Sequence, residues 1–224
     1  MLYIIKNVLN AQQLSIVNKL LENAQFVDGK LSAGDQARAV KNNVELDSHS
    51  PLHNQLNSVV MSSLLENETF QDAVLPLRVA TPFYARYSKG MQYGLHVDNP
   101  VMGPFGQQYR ADVSTSVFLS AKDAYEGGEL HIETPFGEQL VKLDAGDAVV
   151  YPSSSLHKVN EVTQGQRLVA VIWSQSIVKN TEQRALLYTL SQTNKGLKSG
   201  VSPQLLSNDI SSVHSNLVRI WGDV

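Results

Sequence analysis

Apolar residues fall three and four apart near both ends of the chain and at every second position through its middle, and these two periods divide the sequence into three parts. After a loosely alternating run over residues 2–9, Asn10 is placed to cap a helix in AQQLSIVNKLLENA, whose Leu14, Val17, Leu20, Leu21 and Ala24 share one face. The Gly/Ser/Asp-rich stretch DGKLSAGDQA interrupts that pattern. SPLHNQLNSVVMSSLLEN restores it, with Leu52, Leu56, Val59, Val60, Ser63 and Leu64 on the buried side. From about Leu75 to Ser176 the texture becomes β-rich: RVATPFYARYS, QYGLHVD, DVSTSVFLS, GELHIETPF, EQLVKLDAGDAVVYPS, LHKVNEV and QRLVAVIWSQS, each closed by turn residues. That spacing predicts an antiparallel sandwich or barrel. Helical periodicity returns in EQRALLYTLSQTNKG, ending at a glycine, and in HSNLVRIWGDV. The expected organisation is therefore an N-terminal strand with helices packing on the core over 1–77, a β-domain over 78–176, and a C-terminal helical segment over 177–224.

Composition narrows the chemistry. A formal net charge of −3 over 224 residues offers no field to gather nucleic acid or an anionic membrane. The longest apolar run, Leu168 to Trp173, is far too short to cross a bilayer, and no cleavage site follows the apolar start, so a cytoplasmic location is expected. With no cysteine at all, any metal must be held by His, Asp and Glu.

The stretch GLHVDNP supplies such a pair, because His96 and Asp98, two apart on a strand, project to the same face. Six histidines and eleven aspartates give roughly 0.3 such spacings in random order, so the pair alone is weak evidence. His157, in YPSSSLHKVNEV, adds a candidate third ligand, and two imidazoles with one carboxylate form the facial set suited to Fe(II) with open positions. Arg167 follows ten residues later, across an expected hairpin at Thr163–Gln166. It opens the strand LVAVIW, apolar on both faces, where a buried guanidinium needs an anion. His131 and Glu133 in LHIETP have the same spacing as His96 and Asp98. The latter pair is favoured because Tyr84, Tyr87 and Tyr93 precede it as pocket lining, whereas TPFGE reads as an exposed hairpin tip. His49, His53 and His214 are read as surface or capping residues. Gly127–Gly128 and Asp144–Asp147 are read as turns, and Lys41–Asn43 as either a solvated helix end or part of a substrate entrance.

Taken in order, HVDNP, GGEL, LDAGDAVVYPSSSLHKV and VTQGQRLVAVIW resemble the iron(II)- and 2-oxoglutarate-dependent dioxygenases, and among them the bacterial PKHD-type hydroxylases. SAGDQARAVKNN and HSNLVRIW extend the likeness towards both ends. The resemblance implies a mainly β fold with flanking helices around a double-stranded β-helix (jelly roll) core. It implies that His96, Asp98 and His157 ligate Fe(II), that Arg167 binds the distal carboxylate of 2-oxoglutarate, and that Tyr87 assists the cosubstrate. It also implies hydroxylation of a small-molecule or protein side-chain substrate with release of succinate and CO2, L-ascorbate being a further expected reductant. Tyr93, Phe118 and Trp173 are read equally as site lining or plain core. Two rival readings stay open on the residues: a non-catalytic cupin-like module that senses metal or a small ligand, and a strand-edge ion pair with no metal.

Overall fold

The computed structural model describes residues 1–200 and 203–221, without the side chains of residues 35, 36, 203–205, 218 and 221. The expected C-terminal segment thus includes positions, 201–202 and 222–224, that lie outside the described residues.

Two antiparallel sheets face each other. The nine-stranded one runs Tyr3–Ile5, Ala148–Pro152, Val113–Phe118, Val162–Ser176, Phe83–Ser88, Val44–Leu46 and Phe26–Asp28, with Tyr125–Gly127 and Pro76–Val79 pairing along the long central strand. The five-stranded one runs Gly137–Val141, Leu130–Thr134, His157–Val159, Gln92–His96 and Lys41–Asn42. This is the jelly-roll arrangement, in which alternate residues of each strand meet different neighbours.

Parity along the long strand explains why LVAVIW is apolar on both faces. Ala170 and Ile172 point outward into a cluster with Val17, Leu21, Leu56, Val60, Leu64 and Phe70 from the flanking helices. Val169 points inward, among Phe118, Tyr125, Leu130 and Tyr151 between the sheets. Each such fully buried Leu, Ile or Phe contributes about 1.5–3 kcal/mol, so the helices are integral to the fold.

The first helix, Ala11–Glu22, starts where Asn10 accepts from the Gln13 amide while Gln13 returns a bond to the Asn10 amide. The second expected helix is His53–Glu66, with Leu56, Val60, Ser63 and Leu64 buried as the pattern predicts. The residues between and after them hold more than the pattern disclosed: a 3-10 turn at Gly29–Ser32 and short helices at Asp35–Val40 and Glu68–Val74. The C-terminal helices are longer than expected, Thr181–Lys198 passing through Gly196 rather than stopping there, and Pro203–Trp221 following.

Two local expectations fail. Residues 163–166 are no hairpin, because they belong to the continuous strand Val162–Ser176, paired with Tyr125–Gly127 on one side and Ser88 on the other. The reversal falls earlier, at Asn160–Glu161, where the chain leaves the five-stranded sheet for the other. Nor do Lys41–Asn43 form a solvated helix end: Lys41 and Asn42 are an edge strand, and Lys41 and Asn43 are buried.

Candidate active site

Between the sheets lies a cavity of about 670 Å³. His96 ends one strand of the smaller sheet and His157 begins the next, the two standing directly opposite in register, so their rings share a face. Asp98 lies two residues beyond the end of its strand, not within it, yet turns back to the same point. Its Oδ1 lies 3.9 Å from His96 Nε2 and 3.8 Å from His157 Nε2. These three side chains are the only group of His, Asp and Glu that converges in this way among the described residues.

The atoms around the triad fix which lone pairs face inward. His96 Nδ1 donates to the Gly94 carbonyl at 2.8 Å and His157 Nδ1 to the Ser155 carbonyl at 2.9 Å. Each imidazole is thereby oriented with Nδ1 engaged and Nε2 aimed at Asp98. Ser114 Oγ donates a short hydrogen bond to the other carboxylate oxygen, Oδ2, and is itself 2.8 Å from Ser153 Oγ, so Oδ1 is left free. Burial, with a smaller contribution from neighbouring His157, lowers the His96 pKa to about 4, which keeps it neutral at pH 7. Tyr93 stacks on His96 with ring centroids 3.7 Å apart. Two imidazole Nε2 atoms and one carboxylate oxygen, none engaged in a competing hydrogen bond, are the donor set a divalent iron site requires.

Arg167 reaches the cavity from the opposite sheet. It pairs with Tyr87 in register, which puts both on the inward face, and it is 2 % exposed. Among the described residues no carboxylate lies within ion-pair distance of it, and its Nε has no hydrogen-bond acceptor. Its neighbours are instead the rings of Tyr87 and Phe118, whose centroids lie 5.1 and 5.4 Å from the guanidinium carbon, and the neutral phenol of Tyr125. An unpaired buried guanidinium beside a metal-type triad fits an anionic ligand that enters the cavity. Burial raises the Tyr87 pKa above the ordinary phenol range despite the nearby Arg167 charge, so its hydroxyl stays protonated and able to donate.

The remaining expectations divide. Tyr87, Tyr93 and Trp173 line the cavity. Tyr84 does not: one residue out of phase with Ala85, it faces the helices and donates to Asn57 Oδ1 at 3.0 Å. Phe118 packs against Arg167 from the core. The rival pair separates as well. His131 sits on the outer side of its strand, opposite Lys158 and Leu140, with Nε2 3.5 Å from Glu138, and the following hairpin tip leaves Phe136 97 % exposed. His49 and His214 are exposed, and His53 Nε2 bonds the Asp47 carbonyl at 3.0 Å near the start of its helix. Gly127 and Gly128 turn with positive φ, and a Cβ on Gly128 would lie 3.1 Å from Arg167 Cδ, so that turn also makes room for the guanidinium. Gly146 forms the turn expected at Asp144–Asp147.

Three features escaped the sequence reading. The strand Val113–Phe118 is buried throughout, and its inward positions include Ser114 and Ser116, the signal being a run of three hydroxyl residues inside an apolar strand. Tyr151 lies edge-on to His157 at 5.2 Å. Glu45 forms a buried ion pair in the cavity wall with Lys41, the residue whose alternative reading as part of an entrance this lining supports, although nothing in the spacing marks Glu45 as its partner.

Comparison with known proteins agrees with this geometry. Residues 82–175 match the model of the 2OG-Fe(II) oxygenase superfamily. A PKHD-type hydroxylase of Thioalkalivibrio sulfidiphilus is 49% identical over 224 residues, and one of Paraburkholderia phytofirmans is 41% identical over 226, each alignment covering 100% of both chains. Among solved structures, a Pseudomonas putida prolyl-4-hydroxylase superposes with TM-score 0.54 at 17% identity, covering 79% of this chain and 93% of that one. A Trichoplax adhaerens prolyl hydroxylase, solved with a hypoxia-inducible-factor peptide fragment, gives 0.55 at 18%, covering 83% and 86%. The full-length identity to curated relatives, with the fold and the converging triad behind it, places the chain in the PKHD-type hydroxylase family of iron(II)- and 2-oxoglutarate-dependent oxygenases.

Proposed function

We propose that His96, Asp98 and His157 hold the Fe(II) of this oxygenase, that Arg167 and Tyr87 bind its 2-oxoglutarate, and that the substrate enters between residues 31–37 and 97–107. The observation that carries this reading is the pair of Nε2 atoms meeting Asp98 Oδ1 at 3.8 and 3.9 Å while a guanidinium without a carboxylate partner lines the same cavity. Bound there, iron with 2-oxoglutarate and O2 supplies the oxidising chemistry that hydroxylates a substrate and yields succinate and CO2.

The protein's part is to prepare the site. The Gly94 and Ser155 carbonyls hold the imidazole rings, Ser114 orients the carboxylate, and Arg167 offers a planar fork to a carboxylate while Tyr87 adds a neutral donor. Tyr93, Trp173, Tyr151 and Val171 narrow the water around the reacting centre. The division into a 78–176 oxygenase domain with packed segments at 1–77 and 177–224 belongs to the same reading. So do cytoplasmic residence and use of L-ascorbate as reductant; no described helix is long and apolar enough to cross a membrane. Arg167 weighs against a non-catalytic metal sensor, which has no need of a cosubstrate clamp.

The test is succinate formation from 2-oxoglutarate in the presence of Fe(II). The wild type should show it, and Asp98→Ala and His157→Ala should each abolish it together with Mn(II) binding. Turnover persisting in both variants would reject the triad.

A further inference from the structure

Among the described residues, four ionised side chains line the cavity: Lys41, Glu45, Asp98 and Arg167. The oxygenase reading, on which this inference rests, assigns Asp98 to the metal and Arg167 to the cosubstrate. Lys41 and Glu45 are left facing the primary substrate.

Their placement is built into the topology. Lys41 projects from the edge strand of the smaller sheet, opposite Tyr93, and Glu45 projects from Val44–Leu46 in the larger sheet, opposite Ala85. The two meet between the sheets, 6 % and 7 % exposed. Lys41 Nζ donates to Glu45 Oε1 and, at 2.9 Å, to Ser32 Oγ, while Ser32 donates to Glu45 Oε2 at 2.5 Å. Both oxygens of Glu45 are thus engaged. An ammonium has three protons, and only two of these have acceptors among the described residues. The third belongs to a nitrogen 5.3 Å from the Tyr93 ring centroid, in the wall of the cavity. Trp173 Nε1, another lining group, is a buried donor without an acceptor.

Charge decides what can use these donors. Glu45 already neutralises the ammonium, so a substrate carboxylate arriving at Lys41 would set two anions against one cation away from water. A neutral carbonyl takes the same proton without that repulsion. We propose that Lys41 is a specificity-determining residue that donates to an uncharged amide or carbonyl oxygen of the primary substrate, while Glu45 rejects carboxylates there. The substrate class is then amide-bearing, a peptide-linked residue or an acylated amine, rather than a free amino acid presenting its carboxylate at this point.

The experiment uses the full chain loaded with Zn(II) and 2-oxoglutarate, its lysines isotopically labelled so that the slowly exchanging Lys41 ammonium is followed by NMR. The probes are N-acetylglycine N-methylamide and N-acetylglycinate, the second replacing the terminal amide with a carboxylate. The diamide should shift the Lys41 signal saturably and bind about tenfold or more tightly than the anion. Glu45→Gln, which leaves the ammonium unneutralised, should reverse that order. Equal binding, preference for the anion in the wild type, no shift at Lys41, or an unchanged order in Glu45→Gln would each overturn the proposal. If Glu45→Gln does not fold, the pair Lys41→Met with Glu45→Gln leaves no unpaired charge and must level the two affinities; a surviving preference for the diamide counts against Lys41. Failure of the wild type to take up Zn(II) and 2-oxoglutarate at the outset would instead sink the oxygenase reading of the site, and is scored separately.

Discussion

Replacing Arg167 with methionine should stabilise the cosubstrate-free protein while removing its affinity for 2-oxoglutarate, two effects of opposite sign from one substitution. The guanidinium is 2 % exposed and has no carboxylate partner among the described residues, so the folded state bears the cost of burying a charge. That cost is several kcal/mol after relaxation. Against it stand the contacts with Tyr87 and Phe118, worth about 0.5–2 kcal/mol each. The penalty is the larger, and methionine keeps most of the stem volume, so the variant should gain about 1–3 kcal/mol without cosubstrate. For a chain of this length that raises Tm by about 2–4 °C per kcal/mol. With the cosubstrate the balance inverts, because losing a buried bidentate pair costs about 2–5 kcal/mol, or roughly 30- to several-thousand-fold in Kd. Thermal unfolding with and without 2-oxoglutarate, beside calorimetric titration of the Mn(II)-loaded protein, reads both signs. A variant that is less stable than wild type without cosubstrate would show that the guanidinium holds the fold together, and the argument for a ligand-directed charge would fail.

Three further outcomes follow from the site. Ser114→Ala removes the bond that fixes Asp98 Oδ2, and Mn(II) affinity should fall about 10–100-fold with little change in unfolding midpoint; unchanged affinity would make the serine incidental. In the metal-free protein the folded pKa of His96 lies below its unfolded value, so the unfolded state binds the extra proton. Stability should therefore be full above about pH 6.5 and fall as pH drops towards about 4, which urea midpoints across that window will show as a slope that His96→Gln flattens. Gly128→Ala places a Cβ 2.9 Å from Val162 Cγ2 and 3.1 Å from Arg167 Cδ at a φ of +66°, and should cost about 1–3 kcal/mol in urea unfolding and weaken 2-oxoglutarate binding; wild-type values for both would remove the glycine from the site.

What the sequence made legible was whatever depends on local period. Alternation disclosed the strands, and the cap at Asn10 with its helical stripe disclosed the first helix, because both are decided by neighbours a few residues away. The convergence of His96, Asp98 and His157 was readable because its members are chemically distinctive, and the inward placement of Arg167 because a guanidinium is costly to bury unpaired. Tyr84 was misassigned to the pocket because its strand is buried on both faces, and hydrophobicity alone does not say which face meets the helices. The supposed hairpin at Thr163–Gln166 failed for a related reason: Gly165 has positive φ, which signals a turn, but here it accommodates the backbone of Ala124, to within 2.1 Å of where a Cβ would sit. Lys41 was legible only as one of two alternatives, a solvated helix end or part of an entrance, and Glu45 not at all, because each looks like an ordinary surface residue until two sheets bring them together.

That last pairing shows how the site depends on the sandwich as a whole. The triad is attached to the smaller sheet, Arg167 and Tyr87 to the larger, and the two faces of a sandwich stand about 10 Å apart. No single element carries the whole candidate site, so its geometry exists only while the sheets keep their spacing. Lys41–Glu45 is a direct side-chain tie between the sheets, and the crossing at Asn160–Glu161 is a covalent one three residues after His157 and six before Arg167. A ligand that engages both Arg167 and the triad adds a third tie across the interior. Its binding should therefore resist separation of the sheets as well as engage the groups it touches.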